Sequence, residues 1–161
     1  MNGVAALTRS AAETRTVGRS IAALLRPGDV VIVAGELGSG KTTFVQGLAA
    51  GLDVHDSVVS PTFTLAREYA GRIRLVHVDV YRLDRAREVI DLGLEDIADD
   101  AVLAVEWGDV AVAYLSPEHL EVRMGPGPGP AAFDERTIAL AVHGRSWTER
   151  QAALTTAVGI R

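Results

Sequence analysis

The residues Gly35-Glu36-Leu37-Gly38-Ser39-Gly40-Lys41-Thr42 satisfy the pattern G-x-x-x-x-G-K-[ST] at every defined position. This spacing suits phosphate. Glycines let successive backbone amides turn inward around a β-phosphate, and a helix starting after them adds the positive end of its dipole. Lys41 would bridge the β- and γ-phosphates and offset charge as the terminal bond breaks, while the Thr42 hydroxyl is a hard oxygen suited to magnesium. Lys41 is also the only lysine in the chain, the other 15 of its 16 basic residues being arginine. Base-composition bias accounts for the arginines. It does not account for one lysine kept where a compact charge on a flexible stem is needed.

Phosphoryl chemistry in such a site also needs a carboxylate at the end of a neighbouring strand, acting on magnesium or on the attacking water. Asp79 ends the apolar alternation Leu75-Val76-His77-Val78, and Glu106 ends Ala101-Val102-Leu103-Ala104-Val105. Open α/β sheets collect ligands at the carboxyl ends of their strands, so both acids are candidates. Trp107 follows Glu106, where an aromatic serves either a pocket rim or the core. In Ser60-Pro61-Thr62-Phe63-Thr64, Thr62 offers a hydroxyl where nucleotide switches contact the γ-phosphate or its metal, although a plain Ser-Pro turn is the simpler reading. His55, His77, His119 and His143 show no metal-ligand spacing, and His77 reads as a packed or hydrogen-bonded residue.

The elements that must position these groups follow from periodicity. Ser10-Ala11-Ala12-Glu13 has capping-box spacing and predicts a helix carrying Val17, Ile21, Leu24 and Leu25, stopped by Pro27-Gly28. Val30-Val31-Ile32-Val33 is too apolar for a solvated face and predicts a buried parallel strand. The glycine loop and a helix over Thr42 to Leu52 follow it directly. Phe63 to Tyr69 and Arg72 to Val80 alternate as an antiparallel hairpin with Ala70-Gly71 at its tip. Asp84 to Leu94 and Val110 to Leu115 are helix candidates, and Ala101 to Val105, Leu120 to Met124 and Arg136 to Val142 are strand candidates. A last helix over Trp147 to Val158 should bury Trp147, Ala152 and Leu154. Gly125 to Pro130, alternating glycine and proline, predicts a spacer before the last strand and helix. The pattern describes one α/β domain over residues 1–161, a three-layer phosphate-loop nucleotidase fold with a mixed, mainly parallel sheet and an antiparallel hairpin.

Composition narrows the class of partner. Hydrophobic residues are 48% and charged residues 23%, as in globular chains. A net charge of −5 disfavours direct nucleic-acid binding. The absence of cysteine excludes thiol chemistry and suits a cytoplasmic protein, and no stretch has the length of a membrane span.

Together, G-E-L-G-S-G-K-T-T-F at Gly35 to Phe44, S-P-T-F-T-L at Ser60 to Leu65, H-V-D-V-Y-R-L at His77 to Leu83 and E-W at Glu106 to Trp107 closely resemble the bacterial TsaE family, formerly YjeE. The resemblance runs from about Ser10 to Trp107. It implies the ATPase component of the machinery that makes N6-threonylcarbamoyladenosine in tRNAs reading codons that begin with A. The family acts with the transferase subunit TsaD and its paralogue TsaB, meeting tRNA only through that complex. Carried onto this chain, the resemblance implies ATP phosphates held by Leu37, Gly38, Ser39, Gly40, Lys41 and Thr42, with Thr43 beside them. It places Thr42 and Glu106 on Mg2+, Asp79 at the catalytic end of the sheet with Lys41 and Glu106, Thr62 in a switch-like segment and Trp107 beside the nucleotide. The base is approached by the N-terminal segment, here near Ala11; this chain departs from the family after E-W, at Gly108 and Asp109, and Arg136 aligns loosely. A small-molecule kinase with a lid of Arg82, Arg85 and Arg87 is the main alternative, but the interleaved Asp84, Glu88 and Asp91 suit a salt-bridged solvated helix better. A non-hydrolysing ATP-dependent scaffold would carry the same binding residues.

Overall fold

A computed structural model of the chain describes residues 3–61, 66–80, 93, 96, 99–106, 116–130 and 133–159. In chain order they form β1 (Val4–Thr8), α1 (Ala11–Ala22), β2 (Val30–Ala34), α2 (Lys41–Gly51), β3 (Ala66–Tyr69), β4 (Arg74–Asp79), β5 (Ala101–Glu106), β6 (His119–Pro126), β7 (Arg136–His143) and α3 (Arg145–Val158). The strands make one mixed sheet in the order β1-β7-β6-β2-β5-β4-β3. Its centre, β6-β2-β5-β4, is parallel. Antiparallel pairing at the margins, β3 with β4, β6 with β7 and β7 with β1, is as frequent as parallel pairing. No described helix is long and apolar enough to cross a membrane.

Residue parity along β2 decides which side chains meet the helices. Val31 and Val33 join Ala104, Val102, Leu120 and Val122 on one face, where Ile21, Phe44, Leu48, Trp147 and Leu154 from the three helices complete the core. Val30, Ile32, Val76, Val78, Leu103 and Val105 are buried on the other face. The central strands therefore have no solvated side, as their continuous apolar runs predict. The helix candidates at Asp84 to Leu94 and Val110 to Leu115 lie outside the described residues apart from Gly93, a turn residue with φ +64°.

Three local features differ from the periodicity. The segment Val4–Thr8 carries no β-branched run, yet it pairs along β7 and closes that sheet edge. Gly125 and Pro126 are not spacer but the end of β6, opposite Thr137 and Arg136. Pro126 is tolerated there because the pairing of β2 with β6 ends at Ala34 opposite Arg123, so the missing amide falls on an unpaired side. In α3 the buried face carries Trp147, Arg150 and Leu154, whereas Ala152 is exposed. Arg150 is buried because it is paired: its guanidinium donates to both carboxylate oxygens of Asp29, at 2.6 and 2.8 Å, and to the Leu24 carbonyl, and lies over the Trp147 ring. That contact ties α3 to the turn between α1 and β2.

The α1 cap forms as predicted, with the Glu13 amide donating to Ser10 Oγ at 3.1 Å, but the Glu13 carboxylate returns to the Arg9 amide rather than to that of Ser10. Helix α2, which carries the phosphate loop at its start, is held against α1 by three glycines, Gly18, Gly47 and Gly51. A Cβ at Gly47 would lie 2.2 Å from the Arg15 carbonyl oxygen, and one at Gly18 would lie 2.5 Å from that of Phe44. Backbone touches backbone there, so relief requires moving a whole helix. Alanine at Gly47 gains about 1 kcal/mol of helix propensity, but overpacking at a site that cannot yield costs about 3 kcal/mol. Gly47→Ala should therefore lower Tm by roughly 4–8 °C, while Gly3→Ala, whose Cβ meets only ordinary contact with Leu140, leaves it unchanged. A calorimetric scan with equal Tm for both variants would refute the close-packing account.

Candidate functional site

The loop after β2 is shaped by positions only glycine fills easily. Gly40, the N-cap of α2, has φ +95°, and a Cβ on Gly35 would lie 2.6 Å from both the Met124 carbonyl oxygen and Ser39 Oγ. Because Gly40 has no side chain, the first-turn amides of α2 have no side-chain cap. Those amides and the helix dipole are the elements of an anion site. Lys41 opens α2 and folds back over the loop, its Nζ donating to the carbonyls of Gly35 at 2.8 Å and Glu36 at 2.9 Å. Burial draws its ammonium below the usual lysine value, opposed by the nearby carboxylates of Glu106 and Asp79.

Strand register brings the acids to the same place. Asp79 and Glu106 end β4 and β5 directly opposite one another, and Glu106 pairs with Val33, so both side chains rise on the face that carries α2. Both are buried. Glu106 Oε1 accepts from Thr42 Oγ1 at 2.9 Å, and Asp79 Oδ2 accepts from Ser60 Oγ at 3.3 Å. His77, two residues before Asp79 on the same face, lies with Nε2 2.7 Å from Glu106 Oε1. It is hydrogen-bonded as its sequence context suggests, but to a carboxylate of the site. Thr42 and the Glu106 carboxylate form a hard oxygen pair, and that donor set fits a magnesium ion.

A cavity of about 520 Å³ joins these groups, lined by Leu37, Gly38, Gly40, Lys41, Thr42, Thr43, Ser60, Asp79, Glu106 and Arg136. A smaller one of about 110 Å³ continues it past Thr43 to Ser10, Ala11, Thr14 and Asp134. Ser39 is buried in the loop between them and a third hollow of about 310 Å³ that is rimmed by Leu37 and Phe133. The site residues placed from sequence at Ala11, Leu37 to Thr43, Asp79 and Glu106 thus converge. Thr62 and Trp107, and with them Gly108, Asp109 and the arginines at 82, 85 and 87, lie outside the described residues.

Arg136 is the group that local sequence leaves unmarked. It lines all three hollows, and its Nη2 donates to the Gly38 carbonyl at 3.3 Å from the first residue of β7. Nothing near Arg136 in sequence announces this, because the β6–β7 pairing carries it to a loop 98 residues away.

These features define a class: mixed α/β proteins with a G-x-x-x-x-G-K-[ST] loop between a central strand and a helix, facing strand-end carboxylates. The family model "Threonylcarbamoyl adenosine biosynthesis protein TsaE" matches residues 8–128, and the chain belongs to the TsaE family. It is 42% identical to the tRNA threonylcarbamoyladenosine biosynthesis protein TsaE of Streptomyces coelicolor, over 83% of this chain and 93% of that protein. Identity to the Bacillus subtilis protein of the same description is 39%, over 84% of this chain and 83% of that one. The crystal structure of Bacillus subtilis YdiB superposes with a TM-score of 0.79 at 30% identity, covering 96% of this chain and 95% of the other. The family places the chain in tRNA threonylcarbamoyladenosine biosynthesis.

Proposed function

We propose that this protein binds and hydrolyses ATP as the nucleotidase of tRNA N6-threonylcarbamoyladenosine modification in the cytoplasm, working with the TsaD–TsaB pair and meeting tRNA only through it. The observation that carries the reading is the convergence of Lys41, Thr42, Asp79 and Glu106 on one cavity at the glycine loop. Phosphate oxygens would take over the donors that Lys41 now gives to Gly35 and Glu36, and the α2 amides would cradle the adjoining phosphate. Thr42 and Glu106 would hold Mg2+, which when bound neutralises phosphate charge. Asp79 would orient the attacking water, and Ser60 would hold Asp79 in place. The cleft running to Ala11 and Thr14 would admit the rest of the nucleotide.

Dependence on partners rests on what surrounds the site. Leu37 and Phe133 are each 84% exposed beside the loop, an apolar pair suited to burial against another protein. The stretch from Asp84 to Asp109 carries eight carboxylates besides Glu106, which would steer a basic protein surface and repel tRNA. The isolated chain should therefore hydrolyse ATP slowly, the TsaD–TsaB pair should accelerate it by tenfold or more, and added salt should weaken the complex. Steady-state phosphate release with and without the pair tests this. Fast turnover indifferent to the pair would return the kinase alternative, and ATP binding with no turnover even in the complex would favour a scaffold.

A further inference from the structure

On the face of the sheet away from α2, β6 and β7 assemble a second cluster of ligand-type side chains. His119 and Glu121 are two apart on β6 and so share a face, and His143 is the direct cross-strand partner of His119. One nitrogen from each histidine and one carboxylate oxygen of Glu121 lie within 4.8 Å of one another. We propose that His119, Glu121 and His143 bind a late first-row divalent metal ion, of which Zn2+ is the working probe. Neither histidine is near the other in sequence, which is why spacing along the chain conceals the group.

The orphaned nitrogen of His119 carries the argument. The side chain is only 3% exposed, its Nδ1 lies 3.1 Å from the Ser116 carbonyl, and its Nε2 is buried with no partner among the described residues. With Nδ1–H donating to that carbonyl, Nε2 presents a lone pair, the arrangement in which a metal-binding imidazole is oriented by an outer hydrogen bond. A buried acceptor without a partner is costly, and a cation in the cluster would satisfy it. Glu121 Oε2 already faces His143 Nε2 at 2.9 Å, while its Oε1 pairs with Arg123, which fixes the carboxylate.

Two imidazoles and one carboxylate suit zinc, cobalt or nickel rather than magnesium, and leave a position for water. The two rings are stacked, with centroids 4.3 Å apart and planes 16° from parallel. Lone pairs of stacked rings do not converge, and tetrahedral ligands sit about 3.4 Å apart around zinc. His143 must therefore leave the stack on binding. Its side chain is 42% exposed, so the ring has solvent to turn into as it exchanges its contact with Glu121 for the metal.

The test is a Zn2+ titration of the full chain against a chromophoric chelator, with excess Mg2+ to occupy the strand-end carboxylates. The expected result is uptake of one equivalent, weakened tenfold or more by His143→Ala and by Glu121→Gln and kept by Glu106→Gln. Zn2+ should also raise the Tm of the parent, by bridging two strands, but not that of His143→Ala. The His143 side chain is accessible and Glu121→Gln preserves the shape of a side chain that is 14% exposed, and melting curves of both variants without zinc verify folding. No stoichiometric uptake, or uptake lost in Glu106→Gln but unchanged in His143→Ala, would overturn the proposal.

Discussion

Lys41→Ala should lower ATP turnover in the presence of the TsaD–TsaB pair by about 30-fold or more, a loss of about 2 kcal/mol or more of transition-state stabilisation. The effect is large because, among the described residues, nothing nearby substitutes. Lys41 is the only lysine, it enters the loop cavity from the first turn of α2, and burial strengthens whatever charge interaction it makes. Arg136 reaches the same loop, but it is directed at the Gly38 carbonyl and donates its other hydrogen bonds to Phe133 and Glu135. Lys41 also spans the loop through Gly35 and Glu36, so nucleotide affinity should fall along with turnover. Single-turnover and equilibrium-binding measurements on the same variant separate the two losses. Hydrolysis at the parent rate with partners present would end the phosphate-loop reading.

Glu106→Gln is expected to move the magnesium dependence of turnover to concentrations about tenfold higher or more. The substitution preserves shape, and a glutamine oxygen can still accept from Thr42 Oγ1, so the change isolates the carboxylate charge. Asp79→Asn should behave differently despite its position directly opposite Glu106. Its partner is Ser60 rather than Thr42, so turnover should drop while magnesium dependence stays close to the parent's. A magnesium titration of all three proteins under one set of conditions is the measurement. Superimposable curves for the parent and Glu106→Gln would remove Glu106 from the metal.

How much of this was legible along the chain depends on how far apart the partners stand. Groups that act through local backbone geometry were: the loop from Gly35 to Thr42, the cap at Ser10 and the buried strand Val30 to Val33 each involve neighbours within one or two turns, where residue type alone dictates conformation. The strand-end positions of Asp79 and Glu106 also followed, the first from an apolar alternation and the second from a short apolar run. What alternation could not supply was register. Only the parallel pairing of β4 with β5 and β5 with β2 sets the two acids opposite one another and gives Thr42 and His77 to the same carboxylate oxygen. The strand at Val4–Thr8 has weak strand character and exists because β7 offers it an edge. Proline at 126 looked like an ending and is a strand residue because its neighbour β2 has already stopped. Arg136 at the loop, Arg150 on Asp29 and the trio His119, Glu121 and His143 all join residues more than 20 positions apart. A chain read residue by residue carries the side-chain chemistry and its local period, while long-range pairing is chosen by burial of the whole sheet against its helices, and that choice decides which of these groups meet.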